Sequence, residues 1–326
     1  MTAASFPLSS KIIISASFMA FAPFSLAQSD LVSTAIGANP SAMAATTAVV
    51  LPKAQNWMNP DVAAAWSAGY SGKGTTITIV DDFSNASKFS GNLNGTVQTQ
   101  GHGYWTSQEA GLVAYSATIN RQDFNTGRNT SVPLAKTGLN VINASYGMYA
   151  SGAYINYNFT YGAEETSMVN YAKGGNAIIV KAAGNDGINM GTVNASGNFD
   201  ALNKSLKGLP TTIYAGALSS NGTTASPASM ASYSNRAGTD VTTQKQFLVV
   251  GVDSSKMGIA GTSFAAPIIS GYAAVLGSKF ATATPTAITN QLLNTARTDT
   301  LKSYSAAVYG KGEASLSRAL APVSIK

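Results

Sequence analysis

Ser263 is the most informative candidate for chemistry in this 326-residue chain. It lies within Gly-Thr-Ser-Phe-Ala-Ala-Pro at 261–267. This heptapeptide stands between an apolar run, 247–252, and a long helical pattern, 268–280. A serine at such a junction is exposed at a helix start, where unpaired N–H groups and the helix dipole favour developing negative charge. That is a suitable place for an attacking hydroxyl. An isolated Thr-Ser before a helix is usually an N-cap, so the interpretation depends on other segments.

A histidine is the second requirement, because a serine hydroxyl is a weak nucleophile until a base takes its proton. The chain has one histidine, His102, so the identity of the base is forced. It lies between Gly101 and Gly103, ahead of a segment, 106–115, whose pattern predicts a helix. In isolation, a single histidine is more often a surface or core residue than a catalytic one.

An acid is the third requirement, and Asp81 follows the apolar run 75–80. This run is typical of a strand that is buried on both faces. An acid at the C-terminal end of such a strand lies at the rim where open α/β sheets bind ligands. Asp82 is the alternative, because a slip of one residue would exchange the two roles. We favour Asp81 because it directly follows the apolar run.

The fourth segment, 178–187, is an apolar strand that ends in small residues and Asn185. Acyl transfer builds negative charge on the carbonyl oxygen, and a fixed amide donor beside the serine N–H would stabilise it. Taken alone, Gly-Asn-Asp-Gly at 184–187 favours a plain turn.

These segments, in this order, resemble the motifs of the subtilase family of serine proteases, whose triad runs Asp, His, Ser along the chain. The resemblance covers about 57–322 and is most specific at 261–267. It implies that Asp81 orients His102, which acts as general base and then as general acid. It also implies that Ser263 is the nucleophile and that Asn185 and the Ser263 N–H form the oxyanion hole.

The resemblance extends to the substrate site and the C-terminus. The family's extended segment, which pairs with the substrate backbone as an added strand, corresponds to Ser145, Tyr146 and Gly147. One wall of the pocket for the residue before the scissile bond corresponds to Ala182, Ala183 and Gly184. These small residues suggest room for a large apolar side chain. The closing segment, 309–322, resembles that of bacterial autotransporter-type members.

The chain departs from the family pattern in two places, directly after the acid and shortly after the histidine. Asp82 and Phe83 follow the acid, where the family usually has Ser-Gly or Thr-Gly. Tyr104 and Trp105 follow the His-Gly pair, where the family usually has Thr and then His or Gln. This difference indicates an insertion or a redesigned first turn after the histidine.

The coarse pattern predicts an α/β fold of three layers: a mostly parallel sheet with helices on both faces, subtilisin-like. Strands are predicted at 76–80, 139–145, 177–181, 212–217 and 247–252. Helices are predicted at 106–115, 163–172, 263–280 and 285–295. The polar segments 85–100 and 187–208 are expected to be surface loops.

The N-terminus has the pattern of a signal peptide, 1–27. Lys11 supplies positive charge, 12–26 is apolar, and Ser-Leu-Ala at 25–27 fits cleavage after Ala27. We expect a flexible segment at 28–56, one peptidase domain at 57–322 and a tail at 323–326. We also expect export from a bacterial cytoplasm, to the periplasm or the exterior, with no transmembrane span after cleavage.

The composition limits the classes of function and partner that remain. The 20 basic residues outnumber the 14 acidic ones without forming a cluster, so a nucleic-acid partner has little support. The absence of cysteine excludes disulfides and a thiol protease. We expect a monomer that acts on protein or peptide substrates. The chemistry should need no cofactor or metal, and a structural calcium ion, common in the family, has no motif that places it.

The sequence therefore predicts an exported serine endopeptidase that works through an acyl-enzyme. The alternative is a catalytically inactive subtilase fold used for binding or surface display. A surface β-solenoid would need a fixed repeat, which the chain lacks. A lipase or esterase would need Gly-x-Ser-x-Gly with the histidine last, and the chain has neither.

Overall fold

The apolar runs of the sequence become the strands of one parallel sheet. A computed structural model describes residues 11–13, 51–84 and 86–326. The strands are β1 (Lys11–Ile13), β2 (Thr76–Asp81), β3 (Lys88–Gly91), β4 (Gln98–Gly101), β5 (Thr118–Asp123), β6 (Asn140–Ala144), β7 (Tyr146–Ser151), β8 (Ile178–Ala182), β9 (Asn198–Asp200), β10 (Thr212–Leu218) and β11 (Phe247–Gly251). The central sheet has the order β11-β10-β8-β6-β2-β5, and every neighbouring pair is parallel.

Helices cover both faces of this sheet. They are α1 (Pro60–Ser67), α2 (His102–Val113), α3 (Phe124–Gly127), α4 (Ala163–Gly174), α5 (Ala201–Leu206), α6 (Val241–Lys245), α7 (Ser254–Met257), α8 (Thr262–Lys279), α9 (Pro285–Asn294), α10 (Ala306–Tyr309) and α11 (Leu316–Leu320), with a 3₁₀ turn at Gly152–Tyr154. None of the helices within the described ranges is long and apolar enough to cross a membrane.

Alternate residues of each central strand enter two separate cores. In β8, Ile178 and Val180 pack in the core that includes α2 and α8, whereas Ile179 packs in the core that includes α4 and α5. This alternation follows from the two-residue period of a strand. A sheet buried on both faces explains why its inner strands are mostly apolar. The predicted three-layer α/β fold is confirmed.

The five predicted strands are all present, with ends shifted by one residue or less. The edge strand β5 escaped prediction because its sequence is polar and its residues are partly exposed. The prediction of loops was wrong in part. A hairpin of β3 and β4 occupies 88–101 and so most of the predicted loop 85–100, and β9 with α5 lies within 187–208. These short elements carry too few apolar residues to give a periodic signal.

A small antiparallel sheet stands apart from the central one, in the order β1-β7-β9. Strand β7 continues the chain directly after β6, and its first half pairs with β1. Its second half pairs with β9. The predicted signal peptide and flexible segment otherwise lie outside the described residues, apart from 11–13 and 51–56.

Candidate active site

Asp81 and His102 meet where β2 ends and α2 begins. The imidazole Nδ1 lies 2.6 Å from Asp81 Oδ1, and both side chains are buried. Asp81 Oδ1 also accepts the Asp82 N–H at 2.7 Å, and Oδ2 accepts the Thr106 hydroxyl at 2.8 Å. A carboxylate accepts hydrogen bonds, so His102 carries its proton on Nδ1 and presents a lone pair on Nε2.

Asp82, the alternative acid, lies on the outside of this arrangement. Its Oδ1 accepts the Ser84 N–H at 2.8 Å and the Asn125 amide at 3.1 Å. The side chain therefore closes a local turn instead of reaching the imidazole. The geometry brings Asp81, and not Asp82, to His102.

Helix α2 begins at His102 itself, four residues before the predicted start. Trp105 lies in its first turn and is fully buried, with its Nε1–H donated to Phe89 O at 3.1 Å. The unusual Phe83 and Tyr104 pack edge to face, with ring centroids 5.5 Å apart. Arg121 lies over the Tyr104 ring at 4.9 Å. The departures from the family pattern thus pack against one another and leave the Asp81–His102 contact in place.

Ser263 lies in the first turn of α8, and Ser145 holds it from the end of β6. The Ser263 hydroxyl donates to Ser145 O at 3.0 Å, and the Ser145 hydroxyl donates to Ser263 O at 2.8 Å. The second bond has a cause in the sequence. Pro267 lies four residues after Ser263 and has no N–H, so the Ser263 carbonyl lacks its helical donor. The Ser145 hydroxyl replaces that donor.

The two serines belong to a longer buried network. Asn143 donates its amide to the Ser145 hydroxyl at 2.9 Å, and Ser270 donates to Asn143 Oδ1 at 3.3 Å. All four side chains are buried. Buried polar groups that satisfy one another rigidify their surroundings, so this network fixes the position of α8 relative to β6.

The His102 ring faces the same helix start. Its centroid lies 5.6 Å from that of Phe264 and 6.3 Å from that of Phe89. His102 Nε2 is buried and has no hydrogen-bond partner among the residues that the structure describes. The basic nitrogen is therefore held in an apolar surrounding next to the residue that follows Ser263.

Asn185 lies beside the same turn. Its Oδ1 accepts both the N–H and the hydroxyl of Thr262, each at 2.9 Å. Because the amide is planar, fixing Oδ1 also fixes the direction of Nδ2. The Thr262 hydroxyl in turn accepts the Gly184 N–H at 3.1 Å. Gly261 precedes this turn at φ 140° and ψ 154°, a conformation reserved for glycine.

The predicted substrate segment, 145–147, leads into the first half of strand β7. Its first residues pair antiparallel with β1: Ile13 opposite Tyr146, Ile12 opposite Gly147 and Lys11 opposite Met148. The Tyr146 side chain points into the core, where its hydroxyl donates to Glu165 at 3.0 Å. Burial, and then the nearby Glu165, raise the pKa of that hydroxyl. The backbone edge of β7, not the tyrosine ring, is thus what β7 offers to a partner.

The predicted pocket wall leaves the sheet at the end of β8. Ala182 and Ala183 are fully buried, and Gly184 follows at φ 112°. Ala183 borders a cleft that also contains Tyr149, Asp186 and Asp200. The sequence did not predict these three residues as part of the site.

Two residues of the site were missed that a pattern could have found. Thr106 lies four residues after His102, on the same helix face, and holds the second oxygen of Asp81. Thr262 was recognised only as part of the serine motif, although its N–H and hydroxyl both donate to Asn185 Oδ1. Both are small hydroxyl residues beside a catalytic candidate, a signal too common to stand alone.

A buried acid lies further along the same helix. Glu109 is fully buried, and neither of its carboxylate oxygens has a hydrogen-bond partner within the described part of the chain. Burial raises the pKa of Glu109 well above its usual range. Burial is also the main cause that raises the pKa of Tyr233 to about 12, with Glu109 as a lesser one. No group of three or more His, Cys, Asp or Glu side chains suited to a metal ion occurs among residues 51–84 and 86–326.

Comparison with known proteins adds three findings. The family model described as Subtilase family, Peptidase_S8, matches residues 82–312. The crystal structure of MycP1 from Mycobacterium smegmatis is 19% identical, with a TM-score of 0.51 over 84% of this chain and 87% of that chain. MycP1 from the ESX-1 type VII secretion system is 18% identical, with a TM-score of 0.50 over 84% and 88%. At this identity the two structures support the fold alone. The comparison with curated proteins gave no significant match.

Proposed function

The chain belongs to the subtilase family, and we propose that it is a serine endopeptidase whose triad is Asp81, His102 and Ser263. The observation that carries the proposal is the 2.6 Å contact between Asp81 and His102, placed beside the helix start that bears Ser263. An acid, a base and a hydroxyl in this arrangement have the roles that peptide hydrolysis through an acyl-enzyme needs.

The first step uses the lone pair on His102 Nε2. We infer that Ser263 Oγ turns from Ser145 O toward Nε2 when substrate binds, since catalytic hydrogen bonds often tighten only in the complex. The Ser263 oxygen attacks the carbonyl carbon of the peptide, and its proton passes to Nε2. Asp81 stabilises the imidazolium that results and remains ionised.

The second step concerns the charge that forms on the carbonyl oxygen. The Ser263 N–H lies at the positive end of the α8 dipole, and the Asn185 amide is held by Thr262 next to it. Both are suited to donate to that oxygen. The C–N bond then breaks, and Nε2 returns its proton to the leaving amine. A water molecule attacks the acyl-enzyme, gives a proton to Nε2 and releases the acid, while Ser263 regains its hydrogen.

The substrate is proposed to bind as an added strand on β7. Strand β1 already shows this mode, because it lies antiparallel on 146–148. It runs from Met148 toward Tyr146, and therefore toward Ser145 and its partner Ser263. A peptide in the same direction would bring a following carbonyl to the nucleophile. Main-chain hydrogen bonds supply affinity in such pairings without reading side chains.

Export is part of the proposal and rests on the N-terminal sequence. Lys11, the apolar run 12–26 and Ser-Leu-Ala at 25–27 support cleavage after Ala27. Production of the full chain in a bacterium, followed by N-terminal sequencing of the periplasmic and external fractions, tests this. A mature chain that begins at Gln28 is expected, whereas a protein retained in the cytoplasm with its N-terminus intact contradicts export.

Labelling with a fluorophosphonate probe, which traps activated serines, tests the catalytic proposal. Labelling of the folded protein should disappear in Ser263→Ala and fall strongly in His102→Ala. Ser219→Ala, which alters an exposed serine, should label like the natural chain. No labelling of a folded protein that still binds peptide would favour the inactive alternative, and labelling that survives Ser263→Ala would reject Ser263 as nucleophile.

A further inference from the structure

The two edges of β7 have different partners. The Met148 N–H faces β9, where it donates to Asp200 Oδ1 at 3.2 Å. The Gly152 N–H faces the same side and donates to Gly197 O at 2.7 Å. Backbone groups of successive strand residues point to opposite edges, so 147, 149 and 151 face away from β9. The edge away from β9 therefore runs along the whole of β7.

Strand β1 covers only part of that edge. Because β7 lies between β1 and β9, β1 is on the side away from β9. It begins at Lys11, opposite Met148, and no strand of the described residues pairs with this edge at 149–151. A peptide added in the direction of β1 has its N-terminal part there. If the residue opposite Ser145 is the last before the scissile bond, Ser151 lies opposite about the seventh.

The edge ends at an exposed aromatic turn. The 3₁₀ turn Gly152–Tyr154 follows β7 directly. The Tyr154 and Tyr157 side chains are 38% and 43% exposed, and their rings pack edge to face with centroids 5.7 Å apart. Val193 is 41% exposed and lies beside the turn, since a Cβ at Gly152 would lie 2.8 Å from its Cγ2. We call Tyr154, Tyr157 and Val193 the distal patch.

Backbone contacts hold the distal patch in place. The Tyr157 N–H donates to Tyr154 O at 2.9 Å, and Tyr157 O accepts Lys204 Nζ at 2.6 Å, which ties the turn to α5. A site that is already ordered loses little conformational entropy when it binds. Tyrosine rings that adjoin one another at the surface offer a large apolar area together with polar tips, which suits them to recognition.

We propose that the distal patch binds an aromatic or large aliphatic side chain of the peptide substrate, about eight or nine residues before the scissile bond. The inference rests on the proposed function and adds a second point of recognition to it. The occupant follows from continuity along one strand. A peptide paired with 145–151 in the direction of β1 reaches the turn with the residues that precede the paired segment. Burial of their apolar area against the rings favours binding.

Matched peptide anilides of about ten residues test the proposal by hydrolysis. They carry either phenylalanine or serine at the eighth and ninth positions before the scissile bond. We expect kcat/KM to be about tenfold higher for phenylalanine, mainly through KM. Tyr154→Ser and Tyr157→Ser should each remove most of this ratio. Tyr304→Ser alters a tyrosine that is 40% exposed and stacks on Tyr309, and it should keep the ratio.

N-methylation of the peptide tests the path to the patch. The amide of the residue opposite Ser151 faces β7, whereas the amide of the residue opposite Ala150 faces away. Methylation of the first should abolish the advantage of phenylalanine, and methylation of the second should keep it. Equal effects of the two would show that the peptide does not follow this edge and would overturn the inference.

Binding to Ser263→Ala gives a reading that needs no turnover. Calorimetry should find the phenylalanine peptide bound about tenfold more tightly than the serine peptide. Serine-dependent hydrolysis with no preference between the two peptides would overturn the inference and keep the proposed function. Absence of hydrolysis together with equal binding would overturn both. A dimer in sedimentation that dissociates in Tyr154→Ser would assign the distal patch to a second copy of the chain and overturn the inference.

Discussion

Asp81 Oδ1 lies 2.6 Å from His102 Nδ1, and neither side chain is more than 3% exposed. Thr106 holds the other carboxylate oxygen, so the acid cannot turn away from the ring. The pair therefore fixes the tautomer of the only histidine in the chain. Under the proposed function, the hydrolytic activity should therefore depend on the charge of Asp81.

Replacement of Asp81 by asparagine should lower kcat by about 10⁴, because the amide can donate to Nδ1 and so favour the wrong tautomer. Steady-state hydrolysis of a peptide anilide measures this. The matched control is Asp82→Asn, which alters the neighbouring acid and should stay within a few-fold of the natural chain. Equal losses in the two variants would reject the assignment of Asp81.

Replacement of Asn185 by alanine should lower kcat by about 10²–10³, with little change in KM. The reason is that the Asn185 amide would act only on charge that develops in the transition state. Asn290→Ala, an exposed substitution on α9, serves as control. A loss that appears in KM alone would place Asn185 in substrate binding instead.

Glu109→Gln should flatten the pH dependence of stability. Burial raises the pKa of Glu109 above 4.5, so above that pH the folded chain keeps a proton that the unfolded chain releases. Stability is therefore lost as pH rises through the window, by at most about 1.4 kcal/mol per pH unit. The variant has no such loss, so the Tm of the variant minus the Tm of the natural chain should grow as the pH rises above 4.5. A Tm difference that is constant over this range would contradict the prediction.

The Lys181–Asp200 pair should behave as a buried ion pair. Burial lowers the pKa of Lys181, and Asp200 opposes this shift. Asp200→Asn keeps an oxygen for the Met148 and Leu202 N–H groups but leaves the lysine charge uncompensated, at a cost of about 3–5 kcal/mol. Adding Lys181→Met should recover most of the loss. Urea denaturation measures both, and a double variant no more stable than the single one would exclude this explanation.

Much of the fold could be predicted, because buried parallel strands such as β8 and β11 are mostly apolar. The edge strand β5 could not, since its polar residues meet solvent. In the site, the single histidine and the order of the motifs identified Asp81 and His102, whose side chains are in contact. The role of Thr106 has only its spacing from His102 as a signal, which is too common to stand alone. The ion pair of Lys181 with Asp200 depends on β8 and β9, which approach each other only in three dimensions.

The N-terminal strand β1 should compete with peptide substrates. It occupies the edge of β7 at 146–148, where a substrate is proposed to pair. A chain that begins at Gln28 should therefore show a several-fold lower KM than the full chain. Ile12→Pro in the full chain removes one backbone donor of β1 and should give a similar decrease. An unchanged KM in both would show that β1 does not compete for the edge.

Pro267, four residues after Ser263, sets an order of events for folding. Because Pro267 deprives Ser263 of a local hydrogen bond, the serine is held by Ser145, which lies 118 residues earlier in the chain. That contact forms only after the sheet has assembled and α8 has docked. A nascent or partly unfolded chain should thus have an inactive Ser263, and it should cleave neither itself nor its neighbours before its own tertiary structure is complete.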